Sequence, residues 1–247
     1  MSLLAGSAHA GGASAYGRLL VKHVHPGTVN GIRTNLVDYR ALGTDADFAQ
    51  AVRDLAAAQP DALQTKDERF AFWANAYNLL AIKTVVDRYP IDSIRDAGSI
   101  FSPIWKHKVG VVGGKEYALD EIEHGILRKQ FAEPRVHFAL VCASLSCPDL
   151  RTEPYDAARL DAQLDEQAHS FLGNETKGLV PGVDGKSARL SSIFEWFADD
   201  FAAGGGVVAF VKQKSPAAVQ SRIADLTEGG VSYLPYDWSL TDFARAR

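Results

Sequence analysis

The sequence predicts an α+β fold, because helical and extended patterns are mixed along the chain without the regular alternation typical of a parallel α/β sheet. The 247 residues are 47% hydrophobic and 23% charged, which is an ordinary globular composition. This length is ample for a sizeable hydrophobic core. We therefore expect a single domain over residues 13–247, in which a central buried helix packs on a small mixed or antiparallel sheet.

The central helix is predicted over residues 66–89. Phe70, Trp73 and Tyr77 recur at helical spacing and other apolar residues fill the remaining faces, a pattern typical of a helix buried on all sides. Asn75 and Asn78 lie three apart and so share one face of it. Their amides either satisfy nearby backbone groups or form the polar wall of a pocket.

A hairpin and a short helix are predicted next. Gly113-Gly114 between two apolar runs is a strong signal for a two-residue β-hairpin turn. Asp120 followed three residues later by Glu123 fits a helix capping box. His124 and Arg128 are four apart and share a face of that helix.

Both cysteines lie in residues 135–148, RVHFALVCASLSCP. The apolar run from Val136 to Val141 is short and β-branched, which predicts a buried strand. A loop of small residues then leads to Cys147-Pro148. Reactive side chains where a rigid strand enters a loop mark a place where scaffolds often carry function. We expect a pocket between this strand and the central helix.

Several classes of function are disfavoured by composition. The net charge is −4 and no basic stripe is present, which argues against nucleic-acid binding. No apolar window is long enough to span a bilayer. No nucleotide-binding or α/β-hydrolase motif occurs. We expect no cofactor, and a small-molecule or peptide ligand as partner.

The first residues suggest export. Ala8-His9-Ala10 has the form of a signal-peptidase site and follows a short apolar stretch. Residues 1–12 are therefore predicted to be a signal-peptide remnant or a disordered leader, and the protein is predicted to be periplasmic or secreted. Disulfides are permitted in those compartments.

Five motifs occur together in a fixed order: FWANAYN at 72–78, EHGILR at 123–128, PRVHFAL at 134–140, SCP at 146–148 and YLPYDW at 233–238. Together they resemble the family known as domain of unknown function 547, found in bacterial exported proteins and in plant proteins. The resemblance covers about residues 66–238. It implies that one functional region contains Asn75, Asn78, His124, Arg128, His137, Cys142 and Cys147.

The first functional hypothesis is a thiol-dependent hydrolase or acyl-transferase of the cysteine-peptidase or transglutaminase type, acting on a peptide- or amide-like substrate. Such an enzyme needs a thiolate, a histidine and an orienting carboxylate or amide. On a regular strand His137 and Cys142 would face opposite sides, which favours Cys147 with His124. The candidate catalytic residues are Cys147, Cys142, His124, His137 and Glu123. The candidate substrate-binding residues are Asn75, Asn78, Arg128, Arg135 and Ser144.

Two alternatives stay open at this stage. A Cys142–Cys147 disulfide would rigidify a non-catalytic binding domain, whose anionic or peptide-like ligand would be held by Arg128 or Arg135. A zinc site built from the histidines and cysteines is the less favoured alternative, because no second close ligand pair exists.

Overall fold

The computed structural model describes residues 13–99 and 101–246, and the signal-peptide remnant predicted over residues 1–12 lies outside them. The α-helices are α1 (Ala15–His23), α2 (Tyr39–Leu42), α3 (Ala46–Ala56), α4 (Lys66–Val86), α5 (Lys129–Phe131), α6 (Val136–Ala139), α7 (Leu160–Leu172), α8 (Ile193–Trp196), α9 (Gly206–Lys214) and α10 (Ala217–Gln220). A π-helix, Glu121–Arg128, leads directly into α5. Single 3₁₀ turns or short 3₁₀ helices occur at Pro60–Ala62, Ile94–Ala97, Ile104–Lys106, Ala157–Arg159, Ala198–Gly204, Glu228–Gly230 and Phe243–Arg245.

The strands form small separate sheets. They are β1 (Val24–Val29), β2 (Ile32–Val37), β3 (Lys108–Val112), β4 (Lys115–Ala118), β5 (Leu179–Pro181), β6 (Ala188–Leu190) and β7 (Val231–Tyr233). Two of the three sheets are antiparallel hairpins, β1–β2 and β3–β4. The third sheet has the strand order β5-β6-β7, in which β6 and β7 are parallel. The predicted α+β class is confirmed, although the strands that we expected in one sheet are distributed among three.

The central helix is α4, as predicted. A capping box between Thr65 and Glu68 starts it, and its residues from Phe70 to Ile82 are buried. The β3–β4 hairpin packs against it so closely that a Cβ atom on Gly110 would lie 2.4 Å from the Leu80 side chain. Around α4 lies the larger buried cluster, and a second, aromatic cluster gathers about Phe138 and Phe194.

The strand predicted from Val136 to Val141 is wrong. Its first four residues form α6, in which the Leu140 N–H donates to the carbonyl of Val136 at 3.1 Å. Pro134 explains part of this result, because its fixed φ suits the start of a helical turn. A short apolar run also has the same periodicity whether it is a buried strand or one buried helical turn.

The capping box predicted at Asp120 is also wrong. Asp120 makes no capping bond with its side chain, and Glu121 instead accepts the Ala118 N–H at 2.8 Å. Glu123 therefore does not belong to the capping box that its spacing from Asp120 predicted. Among the helices that the structure describes, none is long and apolar enough to cross a lipid bilayer.

Candidate functional site

A cavity of about 220 Å³ lies between α4, the π-helix and the segment that follows α6. Its wall combines chemically reactive groups with aromatic rings. The lining residues are Tyr77, Trp105, Asp120, Glu123, His124, His137, Leu140, Cys142, Cys147, Pro148, Ile193, Trp196, Phe197, Tyr236 and Trp238. Both cysteines and both histidines that the sequence singles out meet here.

The backbone before Cys142 is fixed by the central helix. The buried Asn78 amide donates to the Ala139 carbonyl and accepts the Val141 N–H, each at 2.9 Å. These bonds replace the ladder bonds that a strand would have supplied, so residues 139–141 are held without belonging to a sheet. By fixing the backbone of residues 139–141, Asn78 positions the start of the cysteine loop, residues 142–147.

Residue 143 takes an unusual conformation directly after Cys142. Ala143 has φ +62°, in the left-handed region that side chains other than glycine rarely adopt. Its carbonyl is held by the backbone N–H of Thr241 at 2.9 Å. The Leu145 N–H donates to the Ser239 carbonyl at 2.9 Å. The C-terminal segment, residues 236–241, therefore holds the cysteine loop in a strained conformation. Such strain is common in functional loops.

A buried lysine supports the far end of the same loop. Lys177 Nζ donates to the Cys147 carbonyl at 2.7 Å, to Thr34 Oγ1 at 2.7 Å and to Asp149 Oδ1 at 2.6 Å. Burial lowers the pKa of Lys177, and the neighbouring Asp149 carboxylate opposes that shift. Three polar partners thus compensate the buried ammonium group and fix the position of Cys147.

The two thiols touch each other. Cys142 Sγ and Cys147 Sγ are 3.0 Å apart, and the Cys142 N–H donates to Cys147 Sγ at 3.0 Å. Ser144 Oγ and the Tyr236 hydroxyl lie 3.2 Å and 3.5 Å from Cys142 Sγ. The hydrogen bond from Cys147 lowers the pKa of Cys142 to about 6, with smaller help from the two hydroxyls and against the effect of burial.

The pKa of Cys147 moves the other way. Burial raises it, and so does the neighbouring Cys142 thiolate. Cys147 is 3% exposed, whereas Cys142 is partly exposed. The accessible thiol is thus the one that ionises first: in the neutral pair the Cys142 S–H donates to Cys147 Sγ, and once Cys142 has ionised the Cys147 S–H becomes the donor.

Glu123 lines the same cavity, and its pKa is raised instead of lowered. Burial raises the pKa of its carboxyl group, although the neighbouring His124 and a hydrogen bond with the Tyr77 hydroxyl oppose the shift. A thiol with a lowered pKa and a carboxyl group with a raised pKa therefore line one cavity. Such divergent pairs are characteristic of acid–base sites.

His137 is held by an ionic network. Its Nε2 lies 2.6 Å from Asp200 Oδ2, and its ring stacks on Phe197 with centroids 4.1 Å apart. Arg128 binds the same carboxylate through two nitrogens, at 2.6 Å and 2.9 Å. Burial lowers the pKa of His137 to about 4, despite the opposing effect of Asp200. His137 is therefore neutral at physiological pH.

His124 is more exposed and connects this network to the cavity. Arg128 Nη1 lies 3.0 Å from His124 Nδ1. Arginine can only donate, so Nδ1 accepts and the N–H of the ring lies at Nε2. That nitrogen faces Asp120 Oδ1 at 3.9 Å.

The other predicted site residues are placed around the cavity or away from it. Ser144 is buried and donates to the Tyr236 hydroxyl at 3.2 Å. Asn75 binds both the N–H and the carbonyl of Tyr155 at 2.9 Å, so both predicted amides bind backbone groups. Arg135 forms ion pairs with Glu133, Asp161 and Asp165 and does not line the cavity.

Sequence reasoning missed two groups. Asp200 has no local signal, since it lies 63 residues from His137 in a stretch whose pattern is aromatic. Asp120 was interpreted only as a helix cap, although it lines the cavity. The contact of Tyr236 with Cys142 and Ser144 depends on the path of the C-terminal segment, which no local pattern predicts.

The structure gives no support to the disulfide. Cys142 and Cys147 are free, and their 3.0 Å separation exceeds the S–S bond length of about 2.05 Å. Zinc is also unsupported, because no group of three His, Cys, Asp or Glu side chains within residues 13–99 and 101–246 is arranged to hold a metal ion.

Comparison with known proteins gives one match. No curated protein and no solved structure matches the chain. A family model described as protein of unknown function, DUF547, matches residues 60–172. That range contains α4, the π-helix and the cysteine loop, but not Asp200 or the motif at 233–238. Over residues 60–172 the chain is similar to the DUF547 family, which confirms the resemblance inferred from its motifs.

Proposed function

We propose that the protein is a thiol-dependent hydrolase or acyl-transferase in which Cys142 is the nucleophile. The observation that carries this proposal is the partly exposed Cys142 thiol in the cavity wall, whose sulfur lies within 3.0–3.5 Å of Cys147 Sγ, Ser144 Oγ and the Tyr236 hydroxyl, contacts that lower its pKa. The thiolate is the nucleophilic form of cysteine. Preference therefore passes from Cys147, which the sequence favours, to Cys142.

Glu123 is the proposed acid and base. The Cys142 thiolate attacks a carbonyl carbon, a C–S bond forms, and the bond to the leaving nitrogen or oxygen breaks as Glu123 donates its proton to the leaving atom. Water or an acceptor amine then attacks the thioester and gives a proton to the Glu123 carboxylate. The C–S bond breaks and the thiolate is restored. The raised pKa of Glu123 suits the first of these steps.

The histidines are assigned lesser roles. A preformed thiolate needs no base, and Arg128 already occupies Nδ1 of His124. His124 therefore offers the N–H of Nε2 to the substrate. His137 is neutral and buried, and it positions Asp200 and Arg128 rather than exchanging protons. Burial raises the pKa of Tyr236, so its hydroxyl stays protonated and can donate to a developing oxyanion.

The test is acylation of the native protein with p-nitrophenyl acetate, followed by intact-mass and peptide-mass spectrometry. We expect an acetyl group on Cys142, turnover that Cys142→Ser abolishes, and a loss of about 10²–10⁴-fold in kcat for Glu123→Gln. His124→Gln keeps an N–H donor and should lose less. Unmodified Cys142 in the wild-type protein, or equal turnover by Cys142→Ser, would refute the proposal.

The competing function is a non-catalytic ligand-binding domain with a structural disulfide. Only the proximity of the two sulfur atoms favours it. Thiol titration of the native protein, with and without reductant, separates the two functions. No titratable thiol in the denatured protein before reduction, two thiols after reduction, and no acylation of the reduced native protein would support the binding domain. The predicted likeness to cysteine-peptidase or transglutaminase folds, and the predicted export, stay predictions.

A further inference from the structure

A groove of about 1400 Å³ adjoins the reactive cavity. The two share Trp105, Tyr236 and Trp238 in their walls. Trp105 and Trp238 contact each other edge to face, with ring centroids 5.6 Å apart. The cavity and the groove therefore share an aromatic wall.

The acidic side chains of the groove are already engaged. Asp92 forms an ion pair with Arg245, and Glu175 forms one with Arg222. Asp96 accepts the Ser93 N–H at 2.9 Å, and Asp237 accepts the Ser239 N–H at 2.8 Å. The ion pairs compensate the charges of Asp92 and Glu175, whereas Asp96 and Asp237 stay charged with their oxygens hydrogen-bonded to neutral N–H groups.

Two arginines, Arg95 and Arg189, also line the groove and differ from the carboxylates in their partners. Arg95 lies over the Trp238 ring at 5.3 Å from its centroid, and Arg189 projects from β6. Within the described part of the chain, neither guanidinium group forms an ion pair with a carboxylate. Both residues are exposed. Each guanidinium group has a planar set of donors that fits a carboxylate with two parallel bonds.

The surface around these two groups is partly apolar. Val180 of β5 is the register partner of Arg189, so the two side chains lie on the same face of the sheet. Trp238 supplies an apolar surface beside Arg95. A peptide with acidic and apolar side chains matches this combination, whereas a polyphosphate has no apolar part.

We propose that this groove binds an acidic peptide segment, with its carboxylates on Arg95 and Arg189. The proposal deepens the proposed function, on which it rests, by naming the substrate class as peptides with acidic residues beside the bond that reacts. The aromatic wall then lies between the acidic segment and Cys142.

The test uses the Cys142→Ala variant, which binds peptides without turning them over. Tryptophan fluorescence reports occupancy, because three of the four tryptophans, Trp105, Trp196 and Trp238, line the cavity or the groove. The probes are acetyl-Glu-Leu-Glu-amide, its Gln-Leu-Gln and Lys-Leu-Lys counterparts, and sodium tripolyphosphate. We expect a saturable change with the glutamate peptide and at least about ten-fold weaker binding of the glutamine peptide, because an uncharged amide forms weaker hydrogen bonds with a guanidinium group than a carboxylate does.

Variants locate the site. Arg95→Gln and Arg189→Gln should each weaken binding of the glutamate peptide, and together they should abolish it. Arg53→Gln, an arginine of α3 outside the groove, is the matched control and should bind like its parent. Circular dichroism confirms folding of every variant.

Several results would overturn the proposal: equal binding of the glutamate and glutamine peptides, binding of tripolyphosphate alone, no saturable change with any peptide, or unaltered binding by the double arginine variant. Failure of the thiol chemistry is recognised separately, because it appears as unacylated Cys142 and leaves this binding assay unaffected.

Discussion

Asn78 should control both the stability of the protein and the ionisation of its thiol. The side chain is 3% exposed and makes two backbone hydrogen bonds. Asn78→Ala leaves the Ala139 carbonyl and the Val141 N–H buried without those partners. A stranded polar group costs about 1–3 kcal/mol, so we expect a loss of about 2–6 kcal/mol in the free energy of unfolding. The cost is large beside a typical total of about 5–15 kcal/mol.

Asn75 provides the matched control. It is equally buried on the same helix and binds the N–H and the carbonyl of Tyr155. Asn75→Ala should therefore lower stability by a similar amount in urea denaturation. The two bonds of Asn75 to Tyr155 lie away from residues 139–141, so the two variants should differ at the thiol.

The second measurement is the pH dependence of Cys142 alkylation by iodoacetamide, followed by peptide mass spectrometry. The midpoint is expected at about 6 in the wild type and in Asn75→Ala. In Asn78→Ala it should rise toward the ordinary thiol value of about 8.5, because the loop that holds the donors is released. If Asn78→Ala does not fold, Asn78→Asp keeps the acceptor for Val141 and can replace it. An unchanged midpoint in the folded Asn78 variant would refute the reasoning.

Three further predictions concern the surrounding groups. Cys147→Ala removes the main donor to Cys142, so the alkylation midpoint should rise from about 6; a midpoint that stays near this value would show that the thiol is not activated by its neighbour. Lys177→Met removes one partner of a buried ion pair and should cost about 3 kcal/mol or more in urea denaturation, whereas no loss would mean that Asp149 and the Cys147 carbonyl find other donors. The pKa of His137 is lowered from 6.5 to about 4, so the unfolded chain binds a proton there before the folded one does. Stability should accordingly fall by up to about 3 kcal/mol as pH drops from 6.5 to 4, a slope that His137→Gln should reduce; an unaltered slope in that variant would refute the assignment.

Local patterns predicted the elements whose signals lie within one segment. The helix α4 and the Gly113-Gly114 hairpin are examples, because burial on all sides and a left-handed turn both leave a clear mark in the residues themselves. The run from Val136 to Val141 failed for the converse reason. Its apolar residues are compatible with a strand or a helical turn, and Asn78, from a distant helix, fixes the backbone between Ala139 and Val141.

For the functional site, too, the sequence predicted what depends on local patterns and missed what depends on tertiary contacts. The sequence gathered the cysteines, the histidines and Glu123 into one region, because they lie near one another along the chain. It could not predict which cysteine is activated, since that depends on Tyr236 and on the conformation of Ala143. Asp200 was missed because its role arises from tertiary contact with His137 and Arg128 alone.

The contact between the C-terminal segment and the cysteine loop has a consequence for biosynthesis. Cys142 and Tyr236 are 94 residues apart, so the ribosome makes the thiol well before it makes the hydroxyl and the Thr241 N–H that secures Ala143. At a synthesis rate of about 5–20 residues per second, the interval is at least several seconds. During that time Cys142 lacks its contact with the Tyr236 hydroxyl, and Ala143 lacks the bond that secures it, so the cysteine loop reaches its final shape only after the rest of the domain has been made.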